Sequence, residues 1–144
     1  MQTFLPYPDF AKSAACLDRM RLGKQRVECL QILNALTGKS EGWKNHPAVK
    51  MWKGYEKWLA KYGLTICTEW IKRGYKDSCY DKIFPFYNPD DFSINWMGQK
   101  PKWLGDEEFH LSHKSNLIRK NPEFYRPIFG LDIPDDLPYI WPKI

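Results

Sequence analysis

The chain has 144 residues and a mass of 17.1 kDa, with 22 Lys and Arg against 17 Asp and Glu and a net charge of +5. This length suits one domain that buries its own core, and the lack of any apolar run near the roughly 18 residues of a membrane span excludes an integral membrane protein. The N-terminus does not resemble a signal peptide and the four cysteines form no Cys-x-x-Cys pair, so we expect a reduced, cytoplasmic protein.

The first part of the chain predicts two helices separated by a break. Asp9 is a suitable N-cap for a helix over residues 10–17. Gly23 is expected to interrupt the chain, because glycine is a poor helix former, so the second helix is predicted over residues 24–36.

The second part of the chain predicts two longer helices and irregular connections. Apolar residues from Tyr55 to Trp70 recur at offsets of three and four, which predicts a long amphipathic helix. A short helix is expected after Pro47, and a final helix from Asp106 to a stop at Pro122.

Prolines and glycines spread among aromatic residues predict an ordered but irregular loop over residues 83–105. Residues 131–144 are expected to form a Pro-rich acidic tail at the surface. The whole chain, residues 1–144, is therefore predicted to be an all-α, compact single-domain helical bundle with long irregular loops.

The positive charge is concentrated in the N-terminal part of the chain. Residues 1–82 carry 15 Lys and Arg and 8 Asp and Glu, whereas residues 83–144 carry 7 and 9. Four cations lie within eight residues without an intervening acid: Arg19, Arg21, Lys24 and Arg26. A basic domain that is also 16% aromatic indicates a polyanionic partner.

The predicted helix over residues 24–36 has one apolar face and one polar face. Lys24 and Glu28 share the polar face at a spacing of four residues. One interpretation is a solvated face with an ion pair, and the other is a lysine and a carboxylate that act together in chemistry. The sequence alone leaves both open.

Two further clusters carry polar and aromatic side chains. His110 and His113 could ligate a metal, but no third ligand is marked by spacing, so we expect histidines bonded to the backbone and no metal site. The basic loop with Trp43 and His46 could stack on nucleobases, or the tryptophan could anchor the loop to the core. No nucleotide-binding loop is present, so no nucleotide cofactor is expected.

Taken in order, these segments resemble the pyrimidine-dimer DNA glycosylase family, the endonuclease V type of phages and bacteria. The resemblance is carried by residues 17–28, by His46-Pro47 leading to Trp52, by residues 69–75 and by residues 110–125. It implies a compact all-α fold and a two-step reaction on damaged DNA. In this family the N-terminal amine attacks C1′ of the damaged nucleotide and forms an imine, and a glutamate then assists β-elimination.

This chain departs from the family pattern at two positions. Well-studied members expose a threonine after the initiator methionine is removed, whereas the bulk of Gln2 should keep Met1 in place. The nucleophile is then either the Met1 amine or Lys24. The family glutamate directly follows an arginine, but here Val27 separates Arg26 from Glu28.

The resemblance implies a DNA glycosylase and AP lyase that acts on a damaged or modified pyrimidine in double-stranded DNA, as a monomer, in the cytoplasm of a phage-infected host or on the nucleoid. A DNA-binding domain that lacks the chemistry is the alternative, and an RNA-binding module is more remote. The expected catalytic residues are Met1, Lys24 and Glu28. The expected DNA contacts are Arg19, Arg21, Gln25, Arg26, Trp43, His46, Lys50, His110, His113, Lys114, Asn116, Arg119 and Lys120.

Overall fold

The structure is a computed structural model that describes residues 1–88 and 97–142. All regular secondary structure in these two ranges is helical, which confirms the predicted fold class. The helices are α1 (Phe10–Cys16), α2 (Arg19–Leu36), α3 (Pro47–Lys50), α4 (Glu56–Lys72), α5 (Tyr80–Tyr87), α6 (Glu107–Lys120) and α7 (Pro122–Phe129). In the described part of the chain, no helix is long and apolar enough to cross a lipid bilayer.

The helix starts that carry an acidic cap agree with the sequence. The Asp9 carboxylate accepts from the Lys12 amide at 3.0 Å at the start of α1. The Asp106 carboxylate accepts from the Glu108 amide at 3.0 Å at the start of α6. Because each cap satisfies a backbone donor that the helix leaves free, these starts could be predicted locally.

The predicted break at Gly23 is wrong, because α2 runs through this residue without interruption. A Cβ atom at Gly23 would lie 2.9 Å from Cζ3 of Trp70 on α4. A Cβ atom at Gly63 on α4 would lie 2.4 Å from Sγ of Cys29 on α2. The two glycines therefore allow α2 and α4 to pack closely, and this packing outweighs the poor helix propensity of glycine.

The irregular loop predicted over residues 83–105 is also partly wrong. Helix α5 extends to Tyr87, and residues 89–96 of the predicted loop lie outside the described residues. Pro122 does end α6, but it also occupies the first turn of α7. Proline is tolerated there because the first amides of a helix have no intrahelical partner.

The N-terminal segment passes through the interior, and residues 2–6 are buried. The Phe4 carbonyl oxygen accepts from the Tyr62 hydroxyl at 2.8 Å, and the Leu5 amide donates to His113 Nδ1 at 2.9 Å. Thr3 Oγ1 accepts from the Trp52 indole at 3.0 Å. These bonds reach three different parts of the chain, so they hold the N-terminus in one place.

The C-terminal segment lies at the surface, with none of residues 131–142 buried, and it is held against α6 and α7. The Leu137 amide donates to Ser115 Oγ at 3.0 Å, and the Arg126 guanidinium donates to the Ile133 carbonyl oxygen at 2.5 Å. The Tyr139 ring lies 5.6 Å from the His113 ring. The segment thereby brings Tyr139 against the middle of α6 and to 6.4 Å from the Phe4 ring of the N-terminal segment. Residues 143–144 lie outside the described residues.

Candidate active site

A pocket of about 310 Å³ lies where the N-terminal segment crosses α2. Its wall comes from four parts of the chain: the N-terminus, the first half of α2, the end of α6 and the C-terminal segment. The lining residues are Met1, Gln2, Phe4, Met20, Arg21, Lys24, Gln25, Glu28, Lys120 and Tyr139. All three residues expected to be catalytic, Met1, Lys24 and Glu28, therefore line one pocket.

Glu28 is a buried carboxylate with two neighbours that orient it. The residue is only 8% exposed, so the interpretation of its helix face as solvated is wrong at this position. One carboxylate oxygen lies 3.7 Å from Nζ of Lys24, whose side chain is 73% exposed. The other accepts from Nε2 of Gln25 at 2.9 Å. The i,i+4 spacing correctly indicated the ion pair but not the burial of its acid.

Gln25 uses its whole hydrogen-bonding capacity inside the protein. Its Nε2 donates to the Gln2 carbonyl oxygen at 2.7 Å as well as to Glu28. Its Oε1 accepts from the Phe4 amide at 3.0 Å and lies 2.7 Å from the Tyr62 hydroxyl, whose single proton it shares with the Phe4 carbonyl oxygen. The side chain ties the N-terminal segment to the carboxylate, and the expectation that it contacts DNA disagrees with its burial.

His46 and Trp43 lie beside this pocket in an aromatic cluster. His46 Nδ1 accepts from the Ala48 amide at 3.0 Å and caps α3, so the proton of the neutral ring is on Nε2. Burial lowers the pKa of His46, the N-terminal ammonium lowers it further, and Glu28 opposes the shift. The imidazole is thus within the electrostatic reach of both Met1 and Glu28.

The cluster has two tryptophans around that imidazole. The Trp43 and Trp141 rings each lie 5.9 Å from the His46 ring in an edge-to-face arrangement. Trp43 is 61% exposed and has a φ of 69°, a left-handed conformation that bulky residues rarely adopt. The prediction that Trp43 and His46 contact DNA stays a prediction, and the exposed Trp43 ring packs edge-to-face against His46.

Two predicted phosphate contacts line the pocket, and two more are exposed elsewhere on the surface. Arg21 lines the pocket and its guanidinium lies 3.2 Å from the Asp18 carboxylate. Lys120 lines it from the other side and is exposed. Arg19 and Lys50 are exposed as well. These positions are compatible with the predicted contacts.

Three other predicted DNA contacts lie on α6 and are buried, so they are not accessible to a ligand: His110, His113 and Asn116. His110 donates from Nδ1 to the Leu5 carbonyl oxygen at 2.7 Å and accepts at Nε2 from the Gly105 amide. Burial lowers the pKa of His113 to about 3, so its ring is neutral. The expectation of histidines bonded to the backbone is confirmed, and their predicted contact with DNA disagrees with their burial.

Three predicted phosphate contacts are cations with partners inside the chain. The Arg26 guanidinium lies 2.5 Å from the Asp77 carboxylate and 4.4 Å from the centre of the Trp70 ring. Arg119 donates to the Asp135 carbonyl oxygen at 2.9 Å, and the Lys114 ammonium lies 4.6 Å from the Tyr7 ring centre. The Arg26 side chain is only 14% exposed, so its predicted contact with a phosphate disagrees with its burial.

The pocket also contains residues that the sequence did not indicate. Met20 is 78% exposed although it lines the pocket, and Tyr139 is brought there by the packing of the C-terminal segment. Gln2 is 6% exposed and also lines it. The departure from the family pattern at position 2 was the one signal in the sequence, and it pointed to Gln2. Tyr139 could not be found in this way, because it is distant in sequence from every other lining residue.

One pocket of this helical protein combines a buried carboxylate, the N-terminus of the chain and a cationic rim. This combination suits chemistry on a polyanion. Among the described residues, no group of three or more His, Cys, Asp or Glu could hold a metal ion. A family model described as pyrimidine dimer DNA glycosylase matches residues 1–83, which is more than half of the chain. The chain therefore belongs to the pyrimidine dimer DNA glycosylase family, and its substrate is DNA.

Comparison with curated proteins and with solved structures gave no match. The range that matches the family ends within α5. It includes Met1, Lys24 and Glu28, whereas Lys120 and Tyr139 come from the part of the chain beyond the match.

Proposed function

We propose that this protein removes a damaged pyrimidine from duplex DNA through an imine on the Met1 amine and then cuts the strand by β-elimination. The observation that carries the proposal is that Met1, Lys24 and Glu28 line a single pocket with a cationic rim. A nucleophile and a carboxylate that moves protons are the two groups that such a reaction needs.

The proposed reaction begins at C1′ of the damaged nucleotide. The lone pair of the Met1 nitrogen bonds to C1′, and the glycosidic bond breaks and leaves its electron pair on the base. The amine proton passes through Glu28 to the departing base. The nitrogen lone pair then forms a double bond to C1′ and expels O4′, which takes up a proton and leaves an open-chain imine.

Strand scission follows from the same covalent intermediate. Glu28 removes a proton from C2′, the electron pair forms the C2′–C3′ double bond, and the C3′–O bond breaks to release the phosphate. Water then hydrolyses the imine and frees the Met1 amine. The hydrogen bond from Gln25 and the ion pair with Lys24 hold the carboxylate in a defined orientation for both proton transfers.

Met1 is the nucleophile that we favour over Lys24. The Lys24 side chain is largely exposed and its ammonium is paired with Glu28. As a class, α-amino groups have a pKa of about 7.7–8 and lysine side chains a pKa of about 10.4. A terminal amine is therefore more often unprotonated, and free to attack, at neutral pH. The buried segment that follows Met1 also limits the motion of its backbone.

The rim of the pocket is suited to the phosphates that flank an extruded nucleotide. Arg21, Lys24 and Lys120 are the cationic side chains of its lining. Extrusion of the damaged base is needed because C1′ of a stacked nucleotide is not accessible. Phosphate contacts release counterions, so DNA binding should weaken steeply as the salt concentration rises.

Reduction with borohydride tests the proposal. We expect a covalent adduct with duplex DNA that contains an abasic site, and peptide mass spectrometry should locate it on Met1. Glu28→Gln should reduce strand scission, whereas Lys24→Met should still form the adduct. A Gly-Ser extension before Met1 moves the amine out of the pocket and should abolish trapping.

Two results would contradict parts of this proposal. An adduct on Lys24 would reassign the nucleophile. Salt-dependent binding of duplex DNA without any trapped species or scission would instead support the alternative of a DNA-binding domain that lacks the chemistry.

A further inference from the structure

The Gln2 side chain carries a buried donor that has no partner. Its Nε2 is one of two buried side-chain nitrogen or oxygen atoms, within the described ranges, that make no hydrogen bond. Buried polar groups in proteins are nearly always paired, because a lost partner leaves the cost of desolvation uncompensated. An unpartnered donor on a residue that lines a pocket therefore points to a ligand that carries an acceptor.

The orientation of this amide is set by its neighbours. Its Oε1 accepts from the Thr3 amide at 2.9 Å, so exchanging the oxygen and nitrogen would place two donors against each other. The Gln2 carbonyl oxygen is in turn held by Gln25 at 2.7 Å. The nitrogen is thus fixed as the free end of the side chain, one residue from the proposed nucleophile.

We propose that Gln2 Nε2 donates a hydrogen bond to the C2 carbonyl oxygen of the departing pyrimidine. This inference rests on the imine mechanism above. The Met1 nitrogen attacks C1′, and C1′ is bonded to N1 of the base, whose neighbouring ring atom carries that carbonyl. The C2 oxygen is separated from C1′ by only N1 and C2, so a donor on the residue next to the nucleophile has this oxygen among its nearest acceptors.

The bond would act on the leaving group. When the C1′–N1 bond breaks, its electron pair stays on N1 and is delocalised onto the C2 carbonyl oxygen until the base takes up the proton released by the amine. A donor to this oxygen gains strength as the negative charge develops, so it stabilises the transition state more than the bound substrate. The carbonyl persists in pyrimidines whose C5–C6 bond has been saturated by damage, so the contact suits them as well.

A phosphate oxygen could also accept a hydrogen bond from the Gln2 amide. The two steps of the reaction distinguish a contact with phosphate from a contact with the base. Base release needs a leaving group, whereas strand scission at a preformed abasic site has none. A contact with the base affects only the first step. A contact with phosphate, or a purely structural role, affects both steps because both substrates share the backbone.

The experiment compares two single-turnover rates. The first is base release at one thymine dimer in duplex DNA, scored as the thymine that photoreversal frees, because the cleaved base stays joined to its neighbour through the cyclobutane ring. The second is strand scission of the same duplex with an abasic site. Gln2→Glu keeps an acceptor for the Thr3 amide and removes the donor, and Gln2→Met removes both. Both side chains are large enough to retain Met1, which intact mass verifies. Gln31→Met, on the exposed side of α2, is the matched control.

We expect base release to slow by about 100-fold in both Gln2 variants, as for the loss of one oxyanion donor, while scission at the abasic site stays within about twofold of wild type. Gln31→Met should leave both rates unchanged. Unchanged base release, or an equal loss in both assays, would overturn the inference. Either of these results leaves the proposed function standing. A wild-type protein that cleaves abasic DNA but releases no base would overturn both this inference and the base-removal step of the proposed function, and failure to form a borohydride adduct would overturn the imine mechanism as well.

Discussion

The side chain of Gln25 is the connection between the N-terminal segment and Glu28, so its replacement gives the sharpest test of the site. Gln25→Leu has a similar size but removes every hydrogen bond of the amide. The Phe4 amide loses its acceptor, and Glu28 and the Gln2 carbonyl oxygen lose a donor. The Tyr62 hydroxyl keeps its bond to the Phe4 carbonyl oxygen at 2.8 Å.

The expected loss of stability follows from these groups. A buried backbone donor without a partner costs about 1–3 kcal/mol, and a hydrogen bond to a charged group contributes about 1.5–3 kcal/mol. Allowing for the apolar surface that leucine buries, we expect the free energy of unfolding to fall by about 3–5 kcal/mol. Urea denaturation of the full chain measures this change, which is a large part of the stability of a typical domain.

Gln25→Glu is the matched variant for function. It keeps an acceptor for the Phe4 amide and the Tyr62 hydroxyl, but it replaces the donor to Glu28 by a second acid. Two neighbouring carboxylates resist simultaneous ionisation, so the pH profile of strand scission should move to higher pH. A merely structural role for Gln25 would lower the amount of folded protein without moving this profile.

The reasoning would be refuted by a Gln25→Leu variant within about 0.5 kcal/mol of wild type that also traps abasic DNA at the normal single-turnover rate, since surface substitutions typically have effects of that size. That outcome would mean that neither the N-terminal segment nor Glu28 depends on the amide. A pH profile of Gln25→Glu identical to wild type would separately show that the side chain does not act on the carboxylate.

Three further predictions concern the fold around the site. Gly63→Ala should lower the free energy of unfolding by about 1–3 kcal/mol, because the new Cβ would lie 2.4 Å from Cys29 Sγ. Adding Cys29→Ala to the same chain should recover part of this loss in urea titrations. If the effects of the two substitutions were simply additive, the packing argument would be contradicted. Arg26→Ala should lower the free energy of unfolding by about 3–5 kcal/mol in thermal or urea denaturation, since it leaves the buried Asp77 carboxylate without its ion-pair partner. An effect on DNA affinity without an effect on stability would instead support a phosphate contact for Arg26. Burial lowers the pKa of His113 to about 3, so below about pH 6.5 the unfolded chain binds a proton that the folded chain does not. The free energy of unfolding should therefore drop by up to about 1.4 kcal/mol for each pH unit of acidification. His113→Gln should flatten this slope, and equal slopes in the variant and the wild type would refute the assignment.

Elements with strong local signals could be predicted from the sequence. The periodic apolar residues of α4 and the acidic caps of α1 and α6 are local patterns, and each helix begins where its cap lies. The i,i+4 spacing likewise predicted that Lys24 and Glu28 would pair. These features depend on residues within one or two helical turns of each other, which is the range over which sequence patterns report structure.

Features that depend on distant neighbours could not be predicted. Gly23 was interpreted as a break because helix propensity disfavours glycine, but the Trp70 ring on another helix decides its role. Gln25 and Glu28 have the residue types of a solvated face, yet the N-terminal segment covers them. The same limit explains the buried histidines of α6, since their partners at Leu5 lie more than 100 residues away.

The sequence by itself determined the helical class, the uneven charge and the family, because composition, periodicity and motif order are properties of the chain. It also predicted which groups are available for chemistry: the Met1 amine, a lysine and a carboxylate. Only the tertiary structure decided that these groups share a pocket with Lys120 and Tyr139 from the far end of the chain. Burial and convergence are set by long-range packing, which brings residues from both ends of a basic, aromatic-rich chain into one pocket.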